Sequence, residues 1–201
     1  MAHIDHVLIP VVDLTAAAEA FAERSGLRSA VGGRHPGHGT ANRIVPLGGA
    51  YLEFISVVDP DEAAASPFGR WVARHAPAGR PAGLCIAEPV RSVVDRLGLE
   101  PIRMARRLPD GGELSWRLMG LADALTREVP FFIEWEVPPD RHPGRMPVSH
   151  ETVPRGLAVE LRGDVDELTT WVGEVPGITL VAGAPGVGRV VVETDAGPLE
   201  L

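Results

Sequence analysis

Tyr51-Leu52-Glu53-Phe54-Ile55-Ser56-Val57 is an apolar, β-prone run with one acid in its middle, bounded by Gly48-Gly49 before it and Asp59-Pro60 after it. Its aromatic and β-branched residues suit a strand. A carboxylate at such a place is costly to bury unless a cation or a hydrogen-bond donor meets it. The same pattern returns as Pro130-Phe131-Phe132-Ile133-Glu134-Trp135-Glu136-Val137. Two such strands, each with an acid at the matching place, point to a duplicated unit whose strand centres line one polar cavity.

The flanking sequence supports the duplication. Residues 4–12 read as a strand, Asp13 as the N-cap of an Ala-rich helix to about Arg24, and Ser25-Gly26 as its stop. Residues 27–32 read as a weaker strand and Arg34-His35-Pro36-Gly37-His38-Gly39 as a loop. Residues 41–47 and 51–58 form a hairpin about Gly48-Gly49. After a linker containing a short helix over 67–75, the order β-α-β-β-β repeats. The second set comprises a strand over 82–88, a helix over 90–97, a strand over 100–107, a turn at Asp110-Gly111-Gly112, and strands over 113–119 and 131–137. An insertion, 121–129, separates the last two strands. Asn42-Arg43-Ile44-Val45 answers to Trp116-Arg117-Leu118-Met119, Glu53 to Glu134, and His6 to Ala82.

The expected architecture is α+β, with paired βαβββ modules (1–60 and 81–138) forming a cupped mixed sheet within a domain over 1–147. Residues 148–201 are expected to form a partial third βαβββ-like unit packed on that domain. There Asp164 opens a helix with a capping-box pattern. Residues 183–188 read as a turn, because no helix follows to make a phosphate loop.

With 45% hydrophobic and 23% charged residues the composition is that of an ordinary globular protein. The formal charge is -8, and arginine alone supplies the positive side, since the chain has no lysine. That balance disfavours nucleic acid or an anionic membrane as partner. Cys85 is the single cysteine, which excludes an intramolecular disulfide and fits a reducing compartment. The first residues lack the features of a signal peptide and no apolar run approaches a membrane span, so the expectation is a soluble, cytoplasmic protein, monomeric or a homodimer, with a small-molecule ligand.

A paired βαβββ with His on the first strand and Glu on the fourth resembles the glyoxalase-like branch of the vicinal-oxygen-chelate superfamily. The residues that carry the likeness are 5–14 (Asp5-His6-Val7 onward), Gly39-Thr40-Ala41-Asn42-Arg43, Tyr51 to Ile55, Pro130 to Trp135, and His142-Pro143. The resemblance implies metal ligands on the first and last strands of each module. By position these are His6, Glu53 and Glu134, while the fourth place falls on Ala82, which cannot ligate. One imidazole and two carboxylates would suit Mn²⁺, Fe²⁺, Ni²⁺, Zn²⁺ or Mg²⁺.

Plainer readings stand beside these. His6 could be a hydrogen-bonded core histidine, and Glu53 or Glu134 could pair with Arg43 or Arg117 without any metal. His35 and His38 read as loop residues, His150 as a weaker candidate still, and Cys85 as a small core residue. Trp116 is expected to face the cavity and Trp135 to point away. Two functions follow. One is a metal-dependent lyase, isomerase or dioxygenase in which Glu134 or His142 moves a proton and Asn42, Arg43 and Trp116 contact substrate. The other is a metal-free module that binds a drug or metabolite.

Overall fold

The computed structural model describes residues 1–107 and 112–201. The Asp110-Gly111 part of the expected turn lies outside them. The first module runs β1 (His3–Pro10), α1 (Leu14–Ser25), β2 (Ala30–His35), β3 (Thr40–Pro46) and β4 (Tyr51–Val57). Asp13 caps α1 by accepting from the Thr15 and Ala16 amides, and Gly26 ends it in the left-handed conformation at φ 70°. The linker forms α2 (Pro60–Ala65) and α3 (Pro67–His75). The second module follows as β5 (Gly83–Ala87), α4 (Val90–Leu97), β6 (Ile102–Arg107), β7 (Glu113–Met119), α5 (Leu121–Arg127) and β8 (Phe131–Trp135). The insertion before β8 is therefore a helix. Two expectations fail here: Arg34 and His35 belong to β2, with the turn beginning only at Pro36, and residues 186–188, expected in a turn, open a strand over Gly186–Thr194.

These strands make one eight-stranded sheet in the order β2-β3-β4-β1-β5-β8-β7-β6. In each module the first strand runs parallel to the fourth, and β1 meets β5 antiparallel with His6 opposite Cys85. The chain then adds β9 (Pro154–Gly163), α6 (Val165–Val172), β10 (Ile178–Ala182), β11 (Gly186–Thr194) and β12 (Gly197–Glu200). The element order is again β-α-β-β-β, but the sheet order is β10-β9-β11-β12. Here the strand after the helix, not the last strand, lies parallel to the first.

Strand alternation divides the large sheet into two faces. Val7, Ile9, Leu52, Phe54, Leu84, Ile86 and Phe132 pack with Phe21 of α1, Val93 of α4, Leu168 and Trp171 of α6, and Val159, Leu161 and Val190 of the second sheet. On the other face Leu8, Ile55, Cys85, Phe131 and Ile133 pack against Trp71 and Val72 of α3, with Leu121 and Leu125 of α5 alongside. This second face is the inside of the cup. Among the described residues no helix is long and apolar enough to cross a membrane.

Candidate functional site

Asp5 has no partner in the β1–β5 register, which steps from Ile4–Ile86 to His6–Cys85. It is the extra residue of a β-bulge. Regular alternation would put Ile4, His6 and Leu8 on one face; the bulge instead sends Ile4 to the helix side and delivers both Asp5 and His6 into the cup. Asp5 is fully buried. Its Oδ1 accepts from His6 Nδ1 at 2.6 Å, and its Oδ2 accepts from Trp135 Nε1 at 2.8 Å and His142 Nε2 at 3.0 Å. Burial alone would raise its pKa, but the hydrogen bonds and charges of His142 and His6 outweigh it and hold the carboxyl well below the usual range. An ionised carboxylate only accepts, so the His6 proton sits on Nδ1 and Nε2 faces the cup.

Glu53 stands where His6 Nε2 points. Its Oε2 lies 3.4 Å from that nitrogen, and Asn42 Nδ2 donates to its Oε1 at 2.7 Å. His35 Nε2 is 3.9 Å from Oε1. Asn42 is fixed in turn by the Gly33 amide, which donates to its Oδ1 at 2.8 Å. His35 Nδ1 pairs with Thr40 Oγ1 at 2.9 Å, and its Nε2 faces the Asn42 amide at 3.4 Å. Burial, aided by Arg106 and opposed by Glu53, pushes the His35 pKa down and favours a neutral ring with its lone pair inward. Tyr51 stacks on His6 with ring centres 4.5 Å apart, and burial beside Asp5 and Glu53 keeps its phenol protonated. His6 Nε2 and His35 Nε2 thus flank the two oxygens of Glu53, and Asn42 Nδ2 lies between Oε1 and the His35 nitrogen.

The other expected site residues fare differently. Glu134 does not join His6 and Glu53. In module one His6 pairs with Tyr51, in module two Cys85 pairs with Phe131. Cys85 therefore occupies the place of His6, and Ile133 that of Glu53. The β3–β4 and β7–β8 registers agree, with Ile44 opposite Glu53 and Leu118 opposite Ile133. Matching Glu53 to Glu134 was one residue out, and a slip of one turns a strand residue to the other face. Glu134 lies 4.0 Å from Arg117 instead, the ion-pair reading. Trp135, expected to point away, faces inward onto Asp5. Arg43 also misses the cup; its guanidinium bonds the Ser29 hydroxyl and carbonyl. Trp116 does face the cup, 5.5 Å from the Trp135 ring. His142 spends both ring nitrogens, accepting the Gly144 amide at Nδ1 and donating to Asp5 at Nε2, so it has none left for proton transfer. His150 likewise bridges the Arg28 amide and the Pro46 carbonyl.

Asp5 and His35 are the residues whose place in the site the sequence does not show. Asp5 sits beside His6 and would belong to the opposite face in an unbulged strand. His35 stands before Pro36-Gly37, a sequence that reads as a loop. Among the described residues, the one group of three potential ligands whose atoms all lie within 4.8 Å of one another is Asp5, His6 and Cys85. It suits a cation poorly, because both Asp5 oxygens are already engaged. Burial, with Asp5 and Glu53 adding to it, also holds the Cys85 thiol protonated.

Comparison with solved structures shows the fold. A hypothetical protein from Staphylococcus aureus superposes with a TM-score of 0.70 over 93% of this chain and 88% of its own, at 16% identity. A methylmalonyl-CoA epimerase in complex with methylmalonyl-CoA and NH4+ superposes with a TM-score of 0.50 over 68% of this chain and 96% of its own, at 18% identity. Comparison with curated proteins gives no significant match. The family model described as a glyoxalase-like domain matches residues 4–175, and with the duplicated βαβββ sheet this makes the chain a member of the glyoxalase-like family of the vicinal-oxygen-chelate superfamily.

Proposed function

We propose that the protein is an enzyme that acts on a small oxygen-bearing molecule inside the cup, using a divalent cation held by His6, His35 and Glu53. One observation carries this reading: two imidazole nitrogens flank one buried carboxylate, 3.4 Å and 3.9 Å from its two oxygens. Two imidazoles with a carboxylate suit Mn²⁺, Fe²⁺, Ni²⁺ or Zn²⁺. A cation there supplies Lewis-acid polarisation of a substrate oxygen.

The chain's own residues have distinct tasks. Asp5 orients His6 from behind, as outer-shell carboxylates do for ligating histidines. Asn42 anchors Glu53 Oε1 and leaves Oε2 turned to the cup as the oxygen that would meet a cation. Trp116, Trp135 and Phe131 wall the site against water. This chemistry belongs to an isomerase or lyase. In the competing reading His6 and Glu53 satisfy each other as a pair and the cup only binds.

Calorimetry and elemental analysis with Mn²⁺, Ni²⁺ and Zn²⁺ decide between them. The expected result is about one ion per chain, with affinity reduced on the order of 100-fold or more in Glu53→Gln and His35→Ala. Wild-type protein that takes up no stoichiometric ion, or Glu53→Gln protein that binds as wild type does, overturns the metal reading.

A further inference from the structure

Arg106 lies on β6, an edge of the large sheet, yet it reaches across the cup to β2 at the opposite edge. Met104 pairs with Trp116 across β6 and β7, and Arg106 two residues on pairs with Leu114, so alternation gives Arg106 the cup-facing side that Trp116 shares. At β2 the guanidinium occupies space that a side chain would fill: a Cβ at Gly33 would lie 2.3 Å from Arg106 Nη1. The neighbouring Gly32 does the same for Asn42, where a Cβ would lie 2.1 Å from Oδ1. The Gly32-Gly33 pair therefore admits one residue that fixes Glu53 and one cation. Arg106 Nε is buried and has no hydrogen-bond partner among the described residues. A buried guanidinium N–H left without a partner is costly unless a ligand fills the role.

We propose that Arg106 is the anchor for a carboxylate on the molecule bound in the cup, so that the substrate class is small organic acids. This inference rests on the reading of the cup as a reaction site. Its charges narrow the choice of anion. Asp5 and Glu53 already place two carboxylates in the cup, and Arg106 faces them from across it. With two carboxylates already facing one guanidinium, each further negative charge in a poorly solvated space is costly, so a monoanion is favoured over a phosphate dianion. The planar fork also matches a carboxylate in bidentate fashion, which the orphaned Nε–H and an adjacent Nη–H can provide.

The test is run in chelator, so that it does not depend on whether a metal binds. Lactate and glycolate are compared with lactamide and glycolamide by calorimetry, on wild-type protein, Arg106→Gln, Arg106→Lys and Gly33→Ala, each first checked for a cooperative thermal transition. The acids are expected to bind wild type at least tenfold more tightly than their amides. Arg106→Gln should abolish that preference, Arg106→Lys should restore part of it, and Gly33→Ala, which displaces the guanidinium while keeping it, should weaken acid binding. Wild-type protein that binds acid and amide alike, or binds neither, overturns the proposal, as does an acid preference that survives Arg106→Gln. A lost metal site with an intact acid preference would sink the catalytic reading and leave Arg106 as the anion anchor of a binding protein.

Discussion

Asp5 concentrates three donated hydrogen bonds on one buried carboxylate, and its replacement separates charge from shape. In Asp5→Asn one carbonyl oxygen must serve His6, Trp135 and His142, while the new NH₂ group faces an N–H. The expected cost at pH 7 is about 3 kcal/mol in urea unfolding. The pH dependence follows from the direction of the shift. The folded carboxyl titrates below its ordinary value near 3.8, so the unfolded chain binds more protons wherever the two differ. The stabilisation is complete above about pH 4 and is lost as pH falls through that value towards the folded one. The stability gap between wild type and Asp5→Asn should therefore narrow below pH 4. A gap that stays constant with pH would mean that Asp5 acts through packing alone. Asp5→Asn should also loosen the orientation of His6 and weaken metal binding by about 10- to 100-fold, which separates an orienting residue from one that only packs.

Among the elements, β1, β4 and β8 show what the sequence could and could not convey. Tyr51 to Val57 was legible as a strand because aromatic and β-branched residues fill it and glycines bound it. Asp13 and Gly26 were legible as helix ends because capping is a local interaction. Register is different. Phe131 to Trp135 reads equally well in either of two alignments to β4, and only pairing with β5 selects the one that turns Glu134 outward. The β1 bulge is a property of two strands together, so nothing within residues 3–10 announces it. Long-range contacts of this kind also decide stability. Arg96 of α4 forms a two-pronged ion pair with Glu88 at 2.6 Å and 2.7 Å, stacks over Phe132 and donates to the Trp171 carbonyl at 3.3 Å. It therefore links α4, β8 and α6. Arg96→Ala leaves the buried Glu88 charge unpaired and should cost about 3–5 kcal/mol, whereas Arg91→Ala, at an exposed i,i+4 pair with Asp95, should cost under about 1 kcal/mol. Equal losses in the two variants would refute the linking role of Arg96.

For the molecule as a whole, the question is whether residues 148–201 stand apart or complete the core. The second sheet and α6 press Val159, Leu161, Val190, Val192, Leu168 and Trp171 onto the helix-bearing face of the large sheet, beside Ile4, Leu84, Ile86 and Phe132. Trp171 Nε1 also donates to the Pro130 carbonyl at 2.8 Å, at the entry to β8. Each fully buried aliphatic or aromatic side chain is worth about 1.5–3 kcal/mol, so removing this set forfeits an amount comparable to the roughly 5–15 kcal/mol by which a domain is typically stable. We therefore expect a chain ending at Val153 to lose its cooperative thermal transition, bind a hydrophobic dye, and with it lose the cup, since β5 and β8 support both faces. The sheet order β10-β9-β11-β12 fits this role: the unit serves as a cover for one face, and a third cup is not built. A truncated chain that melts cooperatively near the full-length temperature and still binds metal would instead make residues 148–201 a dispensable appendage.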